Sequence, residues 1–595
     1  MALTSSSRSN SLKQPHNSKR TPCFSQLVEL FESLATERKQ ETKKKILNHW
    51  FAKWRNDVGN DIFPLLRLLL PHIDKHRPAL GLQEANISKL YIKLFGVKAQ
   101  SDDATRLRNW TVPTDDNKIA GDFAALLHDF VKKRSSVTEG VLTIKEVNDL
   151  LDDLANAKGA EFIQLEIFKR IFHETTPREQ KWIVRIILKH MSISVLETSV
   201  LEVFHPDAQA IYDVTSDLRY VAWRLYDPTF RATDTDKDLR IGWAFKPMLS
   251  TSFKTIEESV TRMTENDPVD KDLQFFIEEK IDGERMQIHV LNGQYLYYSS
   301  YTHLYGRDSQ TGSLTPHLAN AFKGDINSLI LDGEMVAIDK ETGQVLPFGT
   351  LKETNSSVKV FDMLFINGRS LLGEPLSKRK REMCMTLKEV PGRVEFVPEF
   401  RGRTVEDVRT RLAQVMADRG EGLVLKHSRS TYIPNGRNHD WIKVKPEYMD
   451  GMADTFDLLV VAGNYGRGKR GGQISTLLCA VKQDGSERYS SFVRVGTGLK
   501  FEEYERITKM PSWKPRGPNG LPDWLQTTKQ NDGHHFSLTL RFPRAVKIRD
   551  DRNKDDCWTA ADVLRYSDSG KKKRKSEDEG PKVSKKQKTS KLQVL

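Results

Sequence analysis

Cysteine is scarce in this chain. Its four cysteines, Cys23, Cys384, Cys479 and Cys557, are scattered over 595 residues with no paired spacing. That fits neither a disulfide framework nor a zinc site and suits a reducing compartment. Long apolar runs are missing as well: nothing approaches twenty consecutive apolar residues, so a membrane span is not expected. Residues 1–24 read as a disordered arm, because Met1 to Arg20 is rich in Ser, Asn and Lys and holds no apolar stretch that could serve as a secretory signal. Surplus charge is lacking where it would say most. The net charge is +13, but Lys571 to Leu595 carries +7 of it and Met1 to Arg20 another +4, which leaves +2 for the body. The body's overall charge therefore does not announce a nucleic-acid partner; only patterned patches could supply one. Residues 463–472 are rich in glycine and carry Arg467, Lys469 and Arg470, yet lack the Gly-Lys-Ser/Thr ending of a phosphate loop. They read as a flexible basic hairpin tip.

What is present is concentrated near the middle of the chain. Glu278-Glu279-Lys280-Ile281-Asp282-Gly283-Glu284-Arg285 contains the pattern K-x-D-G-x-R. Phe275 to Ile277 leads in as extended chain, and Met286, Ile288 and Val290 alternate with Gln287 and His289 on the way out, a strand period. Asn292-Gly293 then predicts a hairpin turn into Gln294 to Tyr298. Lys280 is thus placed in a tight turn at the lip of a sheet. Four further strands follow in order. Ser328 to Ile338 is apolar but carries Asp332 and Glu334, acids a buried strand would not otherwise tolerate. Val360 to Phe365 contains Phe361 and closes on Asn367-Gly368; Glu421 to Lys426 and Trp441 to Lys445 complete the set, with Lys443 and Lys445 on one face. Taken singly, these are acid-tipped core strands or surface lysines; the shared order argues for a site.

In that order, these residues resemble the nucleotidyltransferase motifs of the ATP-dependent DNA ligases. Ala244 to Leu249 resembles the segment that opens the ligase catalytic domain, and Leu540-Arg541-Phe542-Pro543-Arg544 with Ile548 to Asp550 resembles the late ligase motif. Upstream, Ala120 to Phe123, Leu142 to Leu151 and Glu179 to Trp182 are similar to the helical DNA-binding domain of the ligase IV branch, the eukaryotic enzymes of non-homologous end joining, in a fungal form. The resemblance covers roughly residues 25 to 560. It implies joining of 5′-phosphate and 3′-hydroxyl ends through lysyl-AMP and DNA-adenylate, with Lys280 as the nucleophile. It implies that Glu278, Glu279, Lys280, Ile281, Arg285, Glu334, Phe361, Glu421, Lys426, Lys443 and Lys445 bind ATP or AMP. Within that set Glu278 would read the adenine amino group and Phe361 would stack on the base. Glu334 and Glu421 would hold Mg²⁺, and Arg541 and Arg544 would serve the late motif. The implied partners are DNA nicks and double-strand ends, together with end-joining proteins, and the implied compartment is the nucleus, which the run Lys571 to Lys575 and the element Lys585 to Lys588 also suggest as a localisation signal.

The fold expected is multidomain. An all-α DNA-binding domain spans 25–240, where Thr143 and Glu146 form a capping box and Val147, Leu150, Leu151 and Leu154 follow at helical spacing. An α+β nucleotidyltransferase domain with antiparallel sheets spans 241–453, a partial OB-fold β-barrel spans 454–565, and a basic disordered tail spans 566–595. Three departures from the family stand out. The Ser-Arg-x-Gly motif after the first hairpin is lost, its arginine included, in the stretch Ser299 to Gly306. The barrel is short, with a polar, strandless stretch expected from Thr527 to His535. Nothing after Arg565 resembles the tandem BRCT modules, so the coiled-coil partner of the ligase IV branch is not expected to bind. Two rival readings stay open: an RNA-capping guanylyltransferase or RNA ligase relative, which shares K-x-D-G, and a DNA-binding scaffold without ligation activity.

Overall fold

The computed structural model describes residues 12–114, 119–265, 274–299, 304–307, 314–338, 355–418, 420–446, 455–514, 522–526, 540, 543–566 and 592–594. They fall into two compact units, residues 1–82 with 137–448 and residues 83–136 with 449–595. The helical region expected as one domain is thus divided between them. No helix among the described residues is long and apolar enough to cross a membrane, and all four cysteines are free.

In the first unit the helical part starts from strong local signals. Thr143 and Glu146 form the expected capping box of helix Ile144–Asn156, which buries Val147, Leu150, Leu151 and Leu154. Thr176 and Glu179 repeat the device on helix Pro177–Ile187, with proline in the first turn. That helix buries Trp182, whose ring lies 5.0 Å from Phe31 and whose indole N–H donates to Glu32 at 2.8 Å.

The expected disordered arm is corrected in part. Gln14 donates to the Asp61 carboxylate at 2.7 Å, and the Asn17 side chain exchanges hydrogen bonds with both the N–H and the carbonyl of Asp61. Arg20 pairs with Glu146 at 2.8 Å. Local composition predicted a solvated tail; a buried acceptor distant in sequence recruits it instead.

Two sheets follow in the first unit. The strands are β1 (Leu249–Thr251), β2 (Phe275–Glu279), β3 (Glu284–Leu291), β4 (Gln294–Ser299), β5 (Leu304–Arg307), β6 (Ser328–Ile338), β7 (Asn355–Ile366), β8 (Arg369–Ser370), β9 (Val394–Phe396), β10 (Glu399–Gly402), β11 (Leu423–Lys426) and β12 (Arg437–Val444). One sheet runs β1-β12-β11-β2-β10; the other runs β5-β4-β3-β6-β7-β8, with β9 pairing β7. The turns Asn292-Gly293 and Asn367-Gly368 both have positive φ at the two central residues, as a tight hairpin requires. Met286, Ile288 and Val290 pack with Leu329, Leu331, Val358, Val360 and Met363 on one face of the second sheet. Its other face meets the first sheet through Phe245, Met248, Ile330, Phe361, Leu364, Tyr432 and Trp441.

The polar half of β3 is not a solvent face. Gln287 and His289 are fully buried. The Gln287 amide donates to the Phe245 carbonyl at 2.6 Å and accepts its N–H at 3.1 Å, while the Gly242 N–H donates to His289. These contacts strap residues 242–248 across the sheet.

In the second unit, β13 (Asp457–Tyr465), β14 (Ile474–Lys482) and β15 (Tyr489–Val495) form an antiparallel meander, extended by β16 (Leu525–Gln526), β17 (Ala545–Ile548) and β18 (Leu592–Val594). Its core comprises Leu458, Ile474, Leu477, Cys479, Val481, Phe492 and Val495, capped by Tyr504 and Ile507. β18 lies within the stretch expected as a disordered tail, where it pairs in parallel with β13 and β17. The hairpin tip expected to be flexible is docked. The Gly468 N–H donates to the Gly121 carbonyl at 3.0 Å, and Arg467 pairs with Glu84 at 3.0 Å over the Trp110 ring. Residues 527–539 and both basic elements of the tail lie outside the described residues.

Candidate active site

Lys280 sits where β2 leaves one sheet and β3 enters the other. Two glycines make that junction possible. A Cβ on Gly283 would stand 2.3 Å from the Met335 carbonyl oxygen of β6, and one on Gly422, whose φ is +139°, would stand 2.3 Å from the Val444 carbonyl oxygen of β12. The Lys280 N–H donates to the Gly422 carbonyl at 2.9 Å. The Lys280 turn is therefore fastened to the loop that carries Glu421, so two segments 141 residues apart present their side chains together.

The Lys280 ammonium lies 2.5 Å from Glu421 Oε2. Lys445 pairs with the other oxygen, Oε1, of the same carboxylate. Lys443, on β12 and half-buried, is held below the usual lysine range by burial and then by the neighbouring cations Lys445, Arg437 and Lys280. Glu334, on β6, is pushed up to about 7: burial is the main cause, with Asp332 and Glu421 adding negative charge, against the opposing pull of Arg285 and Lys280. Arg285 forks onto Asp332, with bonds of 3.0 and 2.6 Å, and donates to the Met248 carbonyl at 2.8 Å. Burial by itself would weaken its hold on the proton; Asp332 outweighs that and raises its pKa. Asp332 also accepts from the Tyr432 hydroxyl at 2.7 Å.

The base side of the cleft is built from the other sheet. Glu278 is buried, with Lys426 at 2.6 Å from Oε2 and Lys380 at 2.7 Å from Oε1. Burial pushes its carboxyl up, but the two ammonium groups prevail and hold it below the usual carboxylate range. The Lys426 ammonium lies 4.2 Å from the Phe361 ring centre and 4.0 Å from that of Trp441, which meets Phe361 edge-on. The cleft has a cavity volume of about 110 Å³ and is lined by Glu278, Glu279, Lys280, Ile281, Arg285, Glu334, Phe361 and Lys426, among others.

The structure thus gathers most of the residues the motifs singled out. Lys443, Lys445 and Glu421 stand beside Lys280. Arg544 is exposed just ahead of β17 and belongs to the second unit; Arg541 lies outside the described residues. Sequence reasoning missed Ser250, Val397, Val424 and Trp441 as lining residues, and missed Lys380 entirely. Ser250 follows directly on the opening segment of the domain, and Val424 and Trp441 lie inside strands already singled out, so a face assignment could have found them. Lys380 carries no local signal: it is one lysine in the basic helix Leu376–Thr386.

Among the described residues no group of three or more His, Cys, Asp or Glu is placed to hold a metal unaided. The donor set still fits a divalent cation. Glu334 lines the cleft, Glu421 is joined to it through Lys280, and the Glu334 carboxyl, pushed up by burial first and by Asp332 and Glu421 in addition, would be returned to its ionised form by a bound cation. Mg²⁺ takes one or two carboxylates and completes its shell with water and phosphate.

Comparison with known proteins agrees with this geometry. A family described as ATP dependent DNA ligase domain matches residues 247–445, and one described as DNA ligase N terminus matches residues 23–205. The chain is 47% identical to DNA ligase 4 of Coprinopsis cinerea over 98% of its own length and 60% of the relative's. It is 34% identical to DNA ligase 4 of Aspergillus fumigatus, over 89% of this chain and 60% of that one. The chain therefore spans about three-fifths of the length of the curated relatives it matches. A solved structure named Pmar-Lig_PreS3 shares the fold, with a TM-score of 0.51 at 15% identity, over 87% of this chain and 98% of that one.

Proposed function

Because the chain belongs to the ATP-dependent DNA ligase family, we propose that it seals 5′-phosphate to 3′-hydroxyl ends in DNA by way of a lysyl-AMP at Lys280, in double-strand break repair by end joining. The observation that carries this reading is the convergence on one cleft of Lys280, with Glu421 paired to it, Glu334, Arg285 and the Phe361–Trp441 pair, from two sheets.

Each side chain has a part. The Lys280 amine attacks the α-phosphorus of ATP; a P–N bond forms and the bond to pyrophosphate breaks. To attack, Lys280 must lose a proton to solvent, which breaks its 2.5 Å ion pair with Glu421 and leaves that carboxylate charged. Lys443 and Lys445 face the charge that develops on phosphate oxygens. Phe361, with Trp441 packed edge-on against it, stacks on the base once Lys426 has moved off their rings toward the phosphates, and Glu278 accepts from the adenine amino group. Asp332 and Tyr432 hold the Arg285 fork rigid at the sugar end. Glu334 and Glu421 would hold Mg²⁺, which supplies charge neutralisation at the phosphates. AMP then passes from Lys280 to the DNA 5′-phosphate, and the 3′-hydroxyl displaces it.

The rival capping reading predicts labelling by GTP. Incubation of the purified protein with α-labelled ATP or GTP, followed by sealing of a nicked duplex, decides between them: ATP label and sealed product support the ligase, while GTP label sinks it. ATP label without sealing leaves the scaffold reading. Nuclear location follows from the same reading. A tagged chain stopped after Gly570 is expected to spread into the cytoplasm; unchanged nuclear retention places the signal elsewhere.

A further inference from the structure

Glu278 is held from both sides, and only one side faces the cleft. Lys426, from β11, lines the cleft and holds Oε2. Lys380, from helix Leu376–Thr386, stands behind the carboxylate, is itself only 5% exposed, and holds Oε1. Lys380 is fixed in turn by Glu399 at 2.7 Å, on β10, whose register partner is Glu278, and lies over the Phe276 ring at 5.1 Å. Arg401 of β10 lies over the same Phe276 ring at 3.6 Å, and Asp362 of β7 acts on Lys426 and is itself neutralised by the buried Arg379 fork at 2.8 and 2.9 Å.

We propose that Lys380 is a positioning residue that sets the nucleobase specificity of the cleft, by keeping the Glu278 carboxylate ionised and leaving Oε2 alone to face the base. This rests on the ATP reading above. An ionised carboxylate only accepts hydrogen bonds, so it matches the 6-amino group of adenine and repels the 6-oxo group of hypoxanthine or guanine; a protonated one can donate to that oxo group. When a nucleotide draws Lys426 toward its phosphates, Glu278 loses one of its two cations inside a buried site. Lys380, with no access to the cleft, is the one that stays. Without it the carboxyl would take up a proton and its discrimination would lapse.

The test is equilibrium binding of ATP and of inosine triphosphate, which differs at position 6, to the whole chain between pH 6 and 8.5. The wild type is expected to prefer ATP with little pH dependence. Lys380→Met is expected to lose at least tenfold in the ATP-to-ITP affinity ratio, with the ratio recovering toward alkaline pH as Glu278 ionises; Lys380→Arg, which keeps the charge, is expected to retain most of it. Should Lys380→Met fail to fold, Lys380→Gln keeps a donor of similar length without the charge, and the same loss is expected. A neutral variant with the wild-type ratio and a flat pH profile overturns the assignment of Lys380. Wild-type protein that binds neither nucleotide, or that takes no label on Lys280 from ATP, overturns the underlying ATP reading instead.

Discussion

At the scale of single residues, the site works by pairing charges that would be costly alone. Lys280, Glu421 and Lys445 form one chain of charge, Arg285 and Asp332 a second, and Lys426, Glu278, Lys380 and Glu399 a third. Lys280→Arg keeps the charge but replaces the proposed nucleophilic amine with a guanidinium, which stays protonated. Adenylate label from α-labelled ATP is expected to vanish, and persistent label would reassign the nucleophile. Asp213 offers a test away from the chemistry. Its carboxyl accepts from Gln209 at 2.7 Å and Asn435 at 3.0 Å, and burial, followed by the charge of Glu197, pushes it up to about 6. Since its folded pKa lies above the unfolded value of about 3.9, the folded state keeps the proton in the window between them. Stability then falls as pH rises through that window, and the penalty is complete above it. Asp213→Asn keeps the accepting oxygen and removes the charge. It is expected to raise the thermal midpoint more at pH 7.5 than at pH 5, by up to about 3 kcal/mol of stability; an equal effect at both values would contradict the assignment.

Among the elements, strands and caps were largely readable. β6, the paired Asn-Gly hairpins and the Thr143–Glu146 box all form where periodicity and turn chemistry put them. Two faces were not. Gln287 and His289 alternate with apolar residues as a solvent face would, yet they are buried against the backbone of residues 242–248. The run from Gln14 to Arg20 looked solvated but binds Asp61 and Glu146. Polar composition predicts exposure only when no distant partner offers hydrogen bonds. Deletion of residues 1–20 removes the Gln14 and Asn17 bonds to Asp61, a loss of about 2–3 kcal/mol at ~1 kcal/mol per bond. A lowered thermal midpoint is expected, and a truncated protein as stable as the parent would show those contacts to be idle.

On the scale of the whole molecule, the division into two units bears on which reaction steps suffer from the family departures. The cleft lies wholly in the first unit, whereas Arg544 and the barrel strands lie in the second. On the proposed mechanism, adenylation would draw on the cleft of the first unit, and sealing would need the second unit as well. If the barrel is as short as the sequence predicts, sealing of a pre-adenylated nick is expected to be at least tenfold slower than by the Coprinopsis cinerea relative, with lysine adenylation less affected. Equal sealing rates for the two proteins would refute the argument from the barrel.

The linear chain was enough to pick out the motifs, because each is a short run and its glycines are demanded by local geometry: Gly283 against β6 and Gly422 against β12, with Lys280 in the turn between strands. It was also enough to place the strands that carry those motifs, since a period of two survives in the residues themselves. Which side chains meet was a separate matter. The pairing of Lys280 with Glu421 across 141 residues, the hidden Lys380 behind Glu278, and the docking of the basic hairpin tip on Gly121 depend on sheet order and on packing between elements remote in sequence. Local pattern records a residue's own backbone preference; it does not record the charge that tertiary packing will bring to face it.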